Sequence, residues 1–204
     1  MGLSMVGHTL SLKTGIPLDQ LLKDRIWNVL GMNNTGFAMN ATGISVPANI
    51  VSKFAKGHTV GNESELIFLS QEVQGAGAMY STVNDLLKYI SASMGLMDTK
   101  LNYAMETSNL IRHPFTEIQV PFDDPSGHES LPYGYMGLSW FSTTDLENRV
   151  IWHNGGIDGY SLFVGFNPDK QIGLIILCSC YFTYVPPIEM SNVAVPFLLF
   201  YHNS

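Results

Sequence analysis

Val150-Ile-Trp-His-Asn-Gly-Gly-Ile-Asp-Gly-Tyr160 is the stretch on which the reading of this chain turns. An apolar run ends in His153. Glycines follow at 155, 156 and 159, and a second apolar run, Ser161-Leu-Phe-Val-Gly-Phe166, begins at once. A strand that stops in a glycine-rich turn and restarts lets backbone approach a neighbour closely, because glycine has no Cβ. A histidine at the rim of such a turn is placed to point into a cleft. The same residues also fit a plain hairpin with a half-buried histidine, and the stretch alone leaves both readings open.

Working outward, Tyr133–Ser142, Asn148–His153, Tyr160–Phe166 and Ile172–Cys180 are short, aromatic and β-branched, and read as strands. Asn167-Pro-Asp-Lys170 is turn chemistry, so the last two should pair as an antiparallel hairpin. Both are apolar on both faces, which predicts helices on both sides of the sheet. Residues 188–200 read as a C-terminal helix packed back on it. Cys178 and Cys180 are the two cysteines. Two apart on a strand, they face the same side and read as buried strand residues, neither a disulfide framework nor a closed zinc site.

The N-terminal part reads as helical. Leu3, Val6, Leu10 and Thr14 fall at helical spacing, with Gly15 as a stop. The helix starts without a cap, as if something preceded it. Pro17 opens a second helix with Leu18, Leu21, Leu22, Ile26 and Val29 as its stripe and Gly31 as its end. Residues 51–60 suit either a strand or a short helix. Thr82 with Asp85 resembles a capping box, and Val83, Leu86, Leu87, Ile90 and Met94 predict the buried face of the clearest helix, with Gly95 past its end. Asp98 is placed to cap another helix, running to about Leu110. Residues 121–132 read as a loop. The expectation is one domain over residues 1–204, helical to about 120 and strand-rich from about 133.

With 46% hydrophobic and 13% charged residues, the 204-residue chain can bury a core. A net charge of −7 with scattered Lys and Arg argues against nucleic-acid binding. No apolar run reaches membrane-span length, and no secretory signal stands at the start. The histidines show no metal-ligand spacing, so no metal and no cofactor are expected. His8 lies on a helix with a place toward the core, while His58, His113 and His128 sit in polar or loop contexts.

Four blocks in order resemble the C-terminal part of the beta-lactamase-related serine hydrolases, which include class C beta-lactamases, D-alanyl-D-alanine carboxypeptidases and lactamase-like esterases. Leu30-Gly-Met-Asn-Asn-Thr35 is similar to their "PLGM-x-x-T", with Val29 where proline is usual. Gly75-Ala-Gly-Ala-Met-Tyr-Ser-Thr82 with Asp85-Leu86 resembles "aGGlyST-x-x-Dl". Tyr133-Gly-Tyr-Met-Gly-Leu-Ser-Trp140 resembles "yGyGw", and Trp152-His-Asn-Gly-Gly-Ile-Asp-Gly-Tyr160 resembles "gHgGgtpGf". The resemblance implies an α+β fold, an antiparallel sheet flanked by helices, present here in incomplete form. It implies acyl transfer on a beta-lactam, a D-Ala peptide or an ester. The nucleophile in that chemistry is the serine of Ser-x-x-Lys, with Tyr-x-Asn as the second motif. His153, Asn154, Gly155 and Gly156 would be the third motif, lining the substrate cleft.

The first two motifs can be sought directly. The lysines are Lys13, Lys23, Lys53, Lys56, Lys88, Lys100 and Lys170, and none has serine three residues earlier. Tyr-x-Asn occurs only as Tyr201-His-Asn203, at the wrong end of the order, and the chain is expected to begin just downstream of the family's Tyr-x-Asn. No complete catalytic set is therefore expected, and the chain alone should be inactive. The alternative is a non-catalytic lactamase-fold module that binds peptide or cell-wall ligands. A third reading gives His153 an acid–base role with Asp158 or His128. A small-molecule or peptide substrate is the expected partner, while oligomeric state and compartment stay open.

Overall fold

The computed structural model describes residues 2–37, 39–40, 43–44, 46, 48–59, 62–64, 71–77, 79–115, 134–145, 148–157, 159–180 and 187–200. In chain order its helices are α1 (Gly2–Thr14), α2 (Leu18–Leu22), a π-turn over Lys23–Trp27, α3 (Asn28–Leu30), α4 (Ala48–Val51), a 3-10 turn over Gln71–Ala76, α5 (Val83–Ser93), α6 (Asn102–Ser108) and α7 (Pro187–Phe200). Short strands pair off as β1 (Gly36–Phe37) with β6 (Met79–Tyr80), β2 (Met39–Asn40) with β3 (Gly43–Ile44), and β4 (Gly57–Thr59) with β5 (Asn62–Ser64). The main sheet holds β7 (His113–Phe115), β8 (Gly134–Met136), β9 (Phe141–Asp145), β10 (Asn148–Ile157), β11 (Tyr160–Asn167) and β12 (Ile172–Cys178). It is an antiparallel meander, ordered β12-β11-β10-β9-β8-β7.

Helices cover both faces of this sheet, as the doubly apolar strands require. Strand alternation sends Val150, Trp152 and Phe163 to one side, where α7 supplies Ala194, Val195, Leu198 and Leu199. Ile151, Val164 and Phe166 go to the other, against Ile90 of α5. Phe163 and Phe166 are fully buried, so either truncated to alanine should cost about 3–5 kcal/mol. The turn after β11 also fastens α7. Asn167 is fully buried, and its Oδ1 accepts from the N–H groups of Asp169 and Lys170 at 3.1 and 3.0 Å. Its Nδ2 donates to the Leu198 carbonyl and Lys170 Nζ donates to that of Leu199, near the end of α7.

A second core gathers Leu18, Trp27, Leu30, Met32, Phe37, Ala92 and Met105. The expected stripe on the second helix is shifted here. The π-turn inserts one residue, so Trp27 and Leu30 become the deepest side chains in place of Ile26 and Val29. In α1 the expected stripe stays in solvent: Leu3, Val6 and Leu10 are exposed and Gly7 is the buried residue. His8 is likewise exposed rather than core-facing.

Other expectations are corrected by tertiary contacts. Val83 and Leu87 are exposed, while Asp85, Ala92 and Ser93 of α5 are buried. That helix is wedged between the sheet and the helical core, so its buried arc is displaced from the apolar stripe. The next helix starts at Asn102, not near Asp98, and has no side-chain cap. The predicted single strand over 133–142 is split into β8 and β9 by a turn at Gly137–Trp140. The cysteines are half-buried and joined as a Cys178–Cys180 disulfide, because β12 ends at Cys178 and the chain bends at Ser179. The predicted loop 121–132 and His128 lie outside the described residues.

Candidate functional site

β10 does not stop at His153, contrary to the strand boundary read from the glycines. It runs on through Gly155 and Gly156, which stay in register with Leu162 and Ser161 of β11. On its other side, β9 pairs only with Asn148–Trp152. The reason lies in the turn before β9. The Gly137 N–H donates to the Trp140 carbonyl at 2.9 Å and Ser139 adopts φ 66°, so the chain turns away before reaching the level of His153. Among the described residues, no strand pairs with the His153–Ile157 segment on that side. Among the described residues, one strand therefore carries a half paired on both sides and a half paired on one side, and His153 stands at the junction.

Phe141, the first residue of β9, stacks on the His153 imidazole with 5.5 Å between ring centroids and 29° between planes. It also packs against Trp152 at 4.9 Å. Burial pushes the imidazole below its ordinary value of 6.5, opposed in part by the Asn154 backbone. His153 is thus neutral at pH 7 and offers shape and one hydrogen-bond donor or acceptor rather than charge. The sign follows: with the folded value below the unfolded one, the unfolded state takes up the proton first. His153 therefore costs stability as pH falls below about 6.5. A proton NMR titration should show its ring titrating below 6.5, and a midpoint above that value would contradict the burial.

Asn154 turns the other way. Its Nδ2 donates to Ser191 Oγ of α7 at 3.0 Å. Its side chain is a tie between sheet and helix, and only its backbone lies along the edge. Asn154→Ala should lower stability by about 1 kcal/mol in urea unfolding. Ser191 was not visible in the sequence as a partner, since nothing local marks it.

The glycines divide into two kinds. At Gly155 the nearest atoms to an added Cβ would be those of Leu162, from 3.6 Å, an ordinary contact. Gly159 has φ 83°, and a Cβ there would fall 2.7 Å from Ser64 Cβ and 2.9 Å from Gly57 Cα. The close approach at Gly159 is therefore made by the β4–β5 hairpin. The His58 N–H donates to the Gly159 carbonyl at 3.2 Å, and the Tyr160 hydroxyl donates to the Ala55 carbonyl at 2.7 Å. Asp158, offered as an acid–base partner of His153, lies outside the described residues, as does His128. A groove of about 360 Å³ between α1 and α2, lined by Gly7, His8, Ser11 and Leu18 among others, is separate from β10.

The family described as Beta-lactamase matches residues 2–188, and the chain belongs to that family. The chain superposes on a class C beta-lactamase with a TM-score of 0.75 at 17% identity, covering 100% of this chain and 56% of that one. A D-alanine carboxypeptidase AmpC from Burkholderia cenocepacia gives 0.71 at 21%, covering 96% and 58%. The fold is thus a partial beta-lactamase/transpeptidase fold, with mixed helices and antiparallel sheet. An unguisins hydrolase of Aspergillus campestris is 24% identical over 171 residues, 84% of this chain but 30% of that protein. The chain spans under a third of this relative and just over half of the solved structures. No described helix is long and apolar enough to cross a membrane.

Proposed function

We propose that this chain forms one wall of the acyl-transfer cleft of a beta-lactamase-related serine hydrolase acting on a beta-lactam, a D-Ala peptide or an ester. His153, Asn154, Gly155 and Gly156 serve as its third motif. The observation that carries this reading is the edge of β10 beyond Trp152, which no described strand pairs, with a neutral His153 at its start. An unpaired strand edge offers backbone N–H and C=O groups in a fixed row to an amide or ester lying alongside it. Gly155 supports the same use, since its lack of a side chain is not demanded by any described neighbour. Family membership supports the hydrolase class.

The serine nucleophile is not among these residues, because no lysine follows a serine at the required spacing. The 204-residue chain alone should therefore give no burst with a chromogenic cephalosporin and no mass increase from an acyl adduct. A stoichiometric burst would overturn this. The missing Ser-x-x-Lys also favours a second reading, a lactamase-fold module that binds peptide or cell-wall ligands at the same edge without turnover.

A further inference from the structure

We propose that Cys178 and Cys180 form a thiol–disulfide exchange site whose closure fastens the β4–β5 hairpin to the sheet. The disulfide spans a single residue, Ser179. So short a loop removes little freedom from the unfolded chain, so this bond is not a global staple and its effect is local. The local effect is geometric. The two Cα atoms lie 5.2 Å apart, whereas two residues of strand rise about 6.7 Å. Closing the bond therefore bends the backbone at Ser179 and ends β12 at Cys178.

The bend has two anchors. The Cys180 carbonyl accepts from Ser161 Oγ at 2.8 Å. The Ser179 carbonyl lies 3.1 Å from His58 Nδ1, which must carry the proton, since a carbonyl only accepts. His58 belongs to β4, and other ties to the sheet run from the His58 N–H to the Gly159 carbonyl and from the Tyr160 hydroxyl to Ala55, just before β4. The His58–Ser179 bond is the tie that depends on the bend.

Both cysteines are half-buried, within reach of a small dithiol. A thiolate of that dithiol attacks one sulfur, the Cys178–Cys180 bond breaks and a mixed disulfide forms. The second thiol of the reductant resolves it. Two electrons and two protons pass to the protein, leaving two cysteine thiols and an oxidised, cyclic reductant. Once released, β12 can continue its register so that Ser179 stands opposite Tyr160, and the Ser179 carbonyl leaves His58.

Amide hydrogen exchange on the full chain, before and after dithiothreitol, tests this. Reduction should speed exchange in Gly57–Thr59 and Asn62–Ser64 at least tenfold and leave Phe163–Phe166 unchanged. A C178S/C180S variant should show the fast hairpin without reductant, and His58→Ala should show it while the disulfide is intact. An unchanged hairpin on reduction, a uniform acceleration along the chain, or two alkylatable thiols in the air-oxidised protein would each overturn the proposal. None of these readouts depends on the cleft assigned to β10.

Discussion

Asp85→Ala should lose about 3 kcal/mol of stability in urea unfolding. This carboxylate is 1% exposed and sits in the first turn of α5. Its Oδ2 accepts from the Asn34 N–H at 2.7 Å and from Thr35 Oγ1 at 3.0 Å, and its Oδ1 from Lys88 Nζ at 3.1 Å. Lys88 Nζ also donates to the Gly31 carbonyl. One side chain thus holds the turn after α3 onto the start of α5. Truncation takes the shared acceptor from the Asn34 N–H, the Thr35 hydroxyl and the Lys88 ammonium at once, leaving Thr35 only Ser81 Oγ, 2.8 Å away. Burial pushes the Asp85 carboxyl up, but the Asn34, Lys88 and Thr35 donors outweigh it and hold it below the usual carboxylate range. Its contribution is therefore complete above the unfolded value of about 3.9 and is lost as pH falls through the folded one. Urea unfolding between pH 3 and pH 7 should show a shallower acid limb in Asp85→Ala than in the parent. Equal slopes with a loss under ~0.5 kcal/mol would refute the arrangement.

Gly159→Val should be nearly as damaging, by about 3 kcal/mol, whereas Gly155→Ala should change stability by under ~0.5 kcal/mol. At Gly159 a β-branched residue meets two obstacles. The left-handed φ of 83° disfavours it, and its Cβ would press on Gly57 and Ser64. The hairpin must then lift from the turn. At Gly155 the backbone is strand-like and an added Cβ would make only ordinary contacts with Leu162, its nearest neighbour at 3.6 Å. Thermal unfolding of the two variants side by side separates a glycine needed for packing from one needed only where something lies along the edge. Equal effects would show that both serve the fold alone.

The sequence was most legible where structure is set by neighbours along the chain. The turn Asn167-Pro-Asp-Lys170 announces the β11–β12 hairpin, Gly95 ends α5 with φ 75°, and the apolar residues 188–200 announce α7. The Thr82–Asp85 pair gave half of what it promised. Thr82 Oγ1 does accept from the Asp85 N–H, but the Asp85 side chain turns away to Asn34 and Thr35 instead of closing the box. What stayed hidden depends on distant partners. A π-turn has no local signature, so the helical pattern does not show the phase that buries Trp27. Two cysteines on an extended strand gave no sign of the bend that joins them. In the candidate site, the placement of His153 on a strand was legible, though the strand runs past it to Ile157. Its stacking on Phe141 depends on the register of the β9–β10 pair, and the loss of Asn154 to Ser191 on a helix distant in sequence, neither of which a local pattern reveals.

The most direct test of the central claim is an amide chemical-shift titration of the isotope-labelled 204-residue chain with a peptide ending in D-alanyl-D-alanine. Shifts should concentrate on His153–Ile157, with smaller changes at Phe141, and no covalent adduct should form. Shifts absent from β10, or gathered instead in the groove between α1 and α2, would contradict it.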